Sequence, residues 1–190
     1  SAALGAGLSL GIALPVQAAN QAMAKATPQG NEVGIWVMIR PDDTVVIRIA
    51  RSEMGQGTLT GLAQLVAEEL ECDWKKVTTE YPTPGENLKR KRAWGSYSTG
   101  GSRGIRDSHD YVRQGGAAAR TMLIQAAAQQ WGVAPEQCVV ANSIIRHEAS
   151  GRQLSFGQVA EAAAKLPVPA KVPLKAHTSW KIAGKPLARL

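Results

Sequence analysis

One stretch, Thr44 to Glu71, limits the possible folds of this chain more than any other. Thr44-Val45-Val46-Ile47-Arg48-Ile49-Ala50 is rich in β-branched residues and alternates, the pattern of a half-buried strand. Leu59, Leu62, Ala63, Val66 and Leu70 then recur at helical spacing, with Glu68, Glu69 and Glu71 among the polar positions. Between the two, Arg51-Ser52-Glu53-Met54-Gly55-Gln56-Gly57-Thr58 must turn a strand into a helix. Two glycines one residue apart let the backbone approach a neighbour closely, and Thr58 can cap the helix start. Unpaired N–H groups at such a start favour an anion or a polar ring edge, and the Gln56 amide both donates and accepts. Taken alone, the stretch is equally a tight strand-to-helix turn.

The neighbouring segments extend this unit. Val33 to Ile39 and Thr44 to Ala50 flank Pro41-Asp42-Asp43, which reads as a β-hairpin. Lys76 to Tyr81 alternates as a further strand. The β-β-α-β order implies an α+β fold, with strands packed against a few helices on one sheet face. Pro82 to Ser98 reads as a long irregular segment. Ser98-Thr99-Gly100-Gly101-Ser102-Arg103-Gly104 is a second glycine-rich loop, feeding a helical pattern from about Ile105 to Trp131. Gly115-Gly116 inside that helix costs roughly a kcal/mol per residue relative to Ala, tolerable where another backbone packs closely. Glu136 to Ala141 and Ile144 to His147 read as a strand pair across Asn142-Ser143. Ser155-Phe156-Gly157-Gln158 opens a short helix, Val159 to Leu166, and Pro167, Pro169 and Pro173 impose an extended tail.

Residues 1–19 are uncharged and apolar, with Val16-Gln17-Ala18 before Ala19 as an A-x-A-like cleavage site. They read as an export signal or retained membrane anchor, or else as a buried apolar helix. Residues 20–32 form a linker, 33–166 an α+β domain, and 167–190 a Pro-rich tail leading to a following domain. The chain of 190 residues reads as part of a larger protein.

A formal charge of +7 favours anionic partners. Neither a P-loop nor a G-x-G-x-x-G fingerprint occurs, which weakens ATP and NAD readings. Cys72 and Cys138 are far apart, with no C-x-x-C or C-x-x-C-H pattern, and His109, His147 and His177 are scattered. The run Lys89-Arg90-Lys91-Arg92, near Trp94 and Tyr97, has the makings of a nucleic-acid arm, although such clusters are usually only solvated.

The combination of the two glycine-rich loops resembles the molybdenum hydroxylases of the xanthine oxidase family, of the isoquinoline 1-oxidoreductase and membrane-bound aldehyde dehydrogenase type. The likeness rests on Arg51 to Thr58, Leu62 to Leu70, Thr99-Gly100-Gly101-Ser102, Gly116 to Arg120, Trp131-Gly132-Val133 and Ser150-Gly151-Arg152, and it runs from about Gly34 to the end of the chain. The resemblance implies a molybdopterin-binding domain holding molybdenum in the cytosine dinucleotide form of the cofactor. By the same likeness, Met54, Gly55, Gln56 and Gly57 would place an amide and main-chain donors near the metal. Thr99, Gly100, Gly101 and Ser102 would wrap the pterin and its phosphates, with Arg103 on a pyrophosphate.

It further implies hydroxylation of an aldehyde or an N-heteroaromatic compound on the periplasmic side of the inner membrane. Electrons would leave through 2Fe-2S clusters in a small subunit and then haem c in a cytochrome c subunit. The base in that family is a glutamate expected elsewhere in the large subunit, so no catalytic residue is assigned here. Glu53 reads as an orienting group instead, and no nucleic-acid partner is expected. The rival reading is a cofactor-free assembly module with structural glycine loops and a basic loop for an acidic partner.

Overall fold

The computed structural model describes residues 29–190. The apolar stretch 1–19 and most of the linker lie outside the described residues. Among those described, no helix is long and apolar enough to cross a membrane.

The alternating β-branched run is the third strand of a four-stranded sheet with order β1-β2-β3-β4. These strands are β1 Asn31–Glu32, β2 Val37–Ile39, β3 Val45–Arg48 and β4 Val77–Glu80. The first two pairings are antiparallel, and β4 lies parallel to β3 with Val45 opposite Val77 and Arg48 opposite Glu80. The expected hairpin forms around Pro41 to Asp43, where Asp42 Oδ1 accepts the Thr44 N–H at 3.0 Å. Its first arm is not one continuous strand from Val33. Gly34, at φ +73°, folds β1 back onto β2, and only Val37 to Ile39 pair with β3.

A parallel neighbour requires a crossover, and α1, Thr58–Leu70, supplies it between β3 and β4. It packs along the long helix α4, His109–Trp131, and Gly116 is the contact point. A Cβ at Gly116 would lie 2.4 Å from the Val66 carbonyl oxygen, so only hydrogen permits this approach; one at Gly115 would meet the Trp36 indole at 2.3 Å.

Two expectations need correction here. The segment Pro82 to Ser98 contains a helix, α2 Pro84–Lys89, started by Thr83, whose Oγ1 accepts the Glu86 N–H at 3.1 Å. The helical pattern from Ile105 is interrupted at Asp107-Ser108, so a short helix α3, Arg103–Arg106, precedes α4.

The second sheet is antiparallel, β5-β6-β7, made of Cys138–Ala141, Ile144–His147 and Arg152–Ser155. Asn142 and Ser143 take positive φ in the tight turn between β5 and β6. Helix α5, Phe156–Ala164, follows under a capping box in which Gln158 Oε1 accepts the Ser155 N–H at 2.8 Å. Trp94, Phe156, Ile39, Ile47, Leu62, Leu70, Met122 and Leu123 are fully buried in the common core. Cys72 and Cys138 are both buried and free, and burial pushes the Cys72 thiol up to about 12.

Glu68 and Glu69 overturn their polar-face reading, being among the most buried side chains. Glu69 pairs with Arg113 at 2.7 Å, and Glu68 holds Lys175 Nζ at 2.6 Å. Glu68 Oε2 also accepts the N–H groups of Lys181, Ile182 and Ala183 at 2.9, 2.6 and 3.1 Å. The Pro-rich tail is thereby strapped across α1 and α4. Burial pushes the Glu68 carboxyl up, but Lys175 and those main-chain donors outweigh it and hold it below the usual range.

Candidate functional site

The stretch leaving β3 and the loop before α3 meet in space. Ser52 N–H donates to Thr99 Oγ1 at 2.9 Å, and buried Arg51 donates through Nη1 to the Ser98 carbonyl and through Nε to Ser108 Oγ at 3.0 Å. The helices behind the loops interlock through two glycines. A Cβ at Gly104 would sit 3.0 Å from Thr58 Cγ2, and one at Gly61 3.0 Å from Ile105 Cδ1. Sequence reasoning left Arg51, Ser98 and Ser108 without roles, although Arg51 opens the quoted motif.

The first loop is organised by its own side chains. Glu53 Oε1 accepts from Gly55 N–H at 2.6 Å and Gly57 N–H at 2.9 Å, while Oε2 accepts from Leu59 N–H at 3.0 Å. These bonds, led by those from Gly57 and Leu59, hold the Glu53 carboxyl below its ordinary range. The start of α1 is thus capped by Glu53. Gly57 occupies the cap position at φ +86° with no side-chain bond, and Thr58 does not serve as the cap expected from sequence. Gln56 closes the bend, its Oε1 accepting the Met54 N–H at 2.6 Å and its Nε2 donating to the Ser52 carbonyl at 2.9 Å. Gln56 and Met54 stay exposed, Met54 at 72%. Tyr81, at the end of β4, accepts the Glu53 N–H through its hydroxyl at 3.2 Å.

The second loop is furnished differently. Among the described residues, no hydrogen bond engages the N–H groups of Gly100, Gly101 or Ser102. Gly101 and Ser102 take left-handed φ of +56°, and a Cβ at Gly100 would meet nothing within 4 Å. Arg103 folds back over this loop, Nε to the Gly100 carbonyl at 3.4 Å and Nη2 to Ser98 Oγ at 3.3 Å. The two loops therefore divide the labour. Met54 to Gly57 present a preset rim whose main-chain donors are largely engaged, and Thr99 to Arg103 offer open donors and a cation. This donor set fits a phosphate-bearing group at the second loop. Among the described residues, no group of three or more His, Cys, Asp or Glu side chains is placed to hold a metal ion by itself.

The basic run is not a uniformly free arm. Arg90 pairs with Glu32 at 2.7 Å and Glu86 at 2.9 Å, and its guanidinium lies 5.1 Å from the Trp94 ring, while Lys89, Lys91 and Arg92 are exposed.

Residues 2–188 match the family described as molybdopterin cofactor-binding domain. The chain belongs to that family. It is 39% identical over 160 residues to the membrane-bound aldehyde dehydrogenase [pyrroloquinoline-quinone] of Gluconacetobacter polyoxogenes, covering 82% of this chain and 20% of that protein. It is 34% identical over 161 residues to the isoquinoline 1-oxidoreductase subunit beta of Brevundimonas diminuta, covering 83% and 20%. The chain spans about a fifth of the length of these relatives. Among solved structures, the Cu,Mo carbon monoxide dehydrogenase aligns with a TM-score of 0.49 at 22% identity, over 66% of this chain and 15% of that one. The resemblance expected from the two glycine loops is thus met at the level of the family, and so is the α+β class.

Proposed function

We propose that this molybdopterin-binding chain is the N-terminal part of the large subunit of an exported molybdenum hydroxylase acting on an aldehyde or an N-heteroaromatic compound. The observation that carries the reading is the convergence of the loops, fixed by the Ser52 N–H to Thr99 Oγ1 bond at 2.9 Å. When bound, the molybdenum group supplies the two-electron redox chemistry. This chain's own residues bind and orient. Gly100, Gly101 and Ser102 N–H groups and Arg103 would hold the cofactor's phosphates, in the cytosine dinucleotide form if the resemblance extends so far. Met54 to Gly57 would form the rim beside the reacting centre, kept in shape by Glu53 and Gln56. Glu53 is spent on three main-chain donors and is thus an orienting group, not a base.

Likeness to the isoquinoline and aldehyde-oxidising relatives supports the substrate classes. Electron exit through iron–sulfur and cytochrome c subunits, and a periplasmic, membrane-associated location, complete the proposal.

The test is cofactor analysis of the purified full-length complex. About one molybdenum per complex, with a released pterin, is the expected result. Because the aldehyde dehydrogenase relative carries pyrroloquinoline quinone in its name, quinone is assayed in the same sample. Active enzyme containing quinone and no molybdenum overturns the reading.

A further inference from the structure

Two arginines in the described residues are deeply buried, and they differ in one respect. Arg113, 5% exposed, meets the Glu69 carboxylate at 2.7 Å. Arg51, 6% exposed, has no carboxylate within 4.0 Å among the described residues; its Nε and Nη1 are satisfied by Ser108 Oγ and the Ser98 carbonyl, and its Nη2 makes no hydrogen bond there. Burying a guanidinium without a counter-charge is costly, because neutral dipoles return only part of the lost hydration.

Arg51 also lines a cavity of about 230 Å³, together with Trp36, Arg92, Trp94, Gly95 and Tyr111. Trp36 and Tyr111 stack against each other there at 5.2 Å between centroids. Trp94 is fixed from elsewhere, its Nε1 donating to the Ile35 carbonyl at 2.8 Å and Arg48 and Arg90 lying 5.5 and 5.1 Å from its ring. The cavity lining includes no carboxylate, and its two cations have no salt-bridge partner among the described residues. Arg92, Gly95 and Ser96 also line a neighbouring, wider cleft bordered by Leu88 and Tyr97.

We propose that this cavity is a binding site for a small aromatic carboxylate, which supplies the counter-anion that Arg51 lacks. The ring would lie against the Trp36 and Tyr111 side chains, and the carboxylate would take one donor from Arg51 and one from Arg92. A planar anion suits two guanidiniums better than a point anion does, since each offers flat, directional donors. The volume is below that of a typical drug-sized pocket of ~300 Å³ or more and fits a single ring. None of Gly100 to Arg103 lines the cavity, and the inference stands without the oxidoreductase reading.

The test is a titration of the full-length protein, cofactor-loaded and cofactor-free, with benzoate, benzamide and inorganic phosphate, read by calorimetry and tryptophan fluorescence. Benzoate should bind saturably in both forms, at least about tenfold more tightly than benzamide or phosphate, because only it combines ring and charge-assisted bonds. Arg92→Gln, at an exposed position, should weaken benzoate about tenfold while leaving benzamide unchanged. Tyr111→Leu should weaken both aromatic ligands.

Three results overturn the proposal. One is the absence of saturable benzoate binding up to ~10 mM. Another is equal affinity for benzoate and benzamide. The last is benzoate binding that disappears on cofactor loading, which would make the cofactor's own phosphate the anion for Arg51.

Discussion

Glu53 Oε1 accepts the Gly57 N–H at 2.9 Å, so the acid of the glycine loop is also the cap of the helix that follows it. Its carboxyl is held below the ordinary range by hydrogen bonds from Gly57, Leu59 and Gly55 and by the Arg189 charge 3.9 Å away. A depressed carboxylate contributes stability that is complete above its unfolded value and is lost as pH falls through the folded one. Wild type should therefore exceed Glu53→Gln in urea midpoint at pH 7, and the gap should close in the acid range below the usual carboxylate titration. A gap that persists unchanged at pH 3 would show that charge has no part in the cap.

Gln56→Ala removes the two bonds that close the bend over Ser52 and Met54, yet Gln56 itself is exposed. Thermal stability should change by no more than about 1 kcal/mol, the scale of a solvent-exposed hydrogen bond. Turnover of the cofactor-loaded enzyme should fall. Steady-state kinetics beside a melting curve separates the two effects, and unchanged kcat removes Gln56 from the rim.

Gly116→Ala would drive a methyl to 2.4 Å from the Val66 carbonyl, backbone that cannot swing aside. Destabilisation of about 1–3 kcal/mol is expected from such overpacking, read as a lower denaturant midpoint. Gly132→Ala serves as a comparison, since its Cβ meets nothing within 4 Å and its cost comes only from φ +67°.

Glu68→Ala should free the tail. It leaves Lys175 without its 2.6 Å partner and the N–H groups of Lys181, Ile182 and Ala183 without an acceptor. Lys175 keeps Glu71 at 3.2 Å, so the cost falls below the roughly 3–5 kcal/mol of a fully orphaned buried charge. Limited trypsin digestion should cut after Lys175 or Lys181 much faster than in wild type, before the core is attacked. Equal digestion rates would mean that the tail is held by its apolar contacts instead.

The elements that were legible in the sequence are those whose signals are local. The alternation of Thr44 to Ala50 and the helical spacing of Leu59 to Leu70 both became the expected elements, and Gly115-Gly116 marks a close backbone approach as its composition implied. Helix α2 is also written locally, since Thr83-Pro84-Gly85-Glu86 is a capping sequence, but its six residues are too few to show an apolar periodicity. Glu68 and Glu69 could not be read correctly from their own neighbourhood. Their partners lie at Arg113, Lys175 and Lys181 to Ala183, between 44 and 115 positions away, and nothing in the spacing of α1 announces them. At the site, the glycines flagged the loops, whereas the division between engaged and open donors depends on how Glu53 and Gln56 fold back, which only coordinates reveal.

The parallel pairing of β3 with β4 carries an evolutionary consequence. Both strands run out of the sheet in one direction, so the turn at Glu53 and the segment from Tyr81 emerge side by side along a common rim. Residues added to or deleted from either connection would reshape that rim while the strand registers stay untouched. The two connections are unequal in this respect: the Glu53 turn carries the Ser52 to Thr99 bond that joins the loops, so the segment after Tyr81 is the one a lineage can lengthen without parting them.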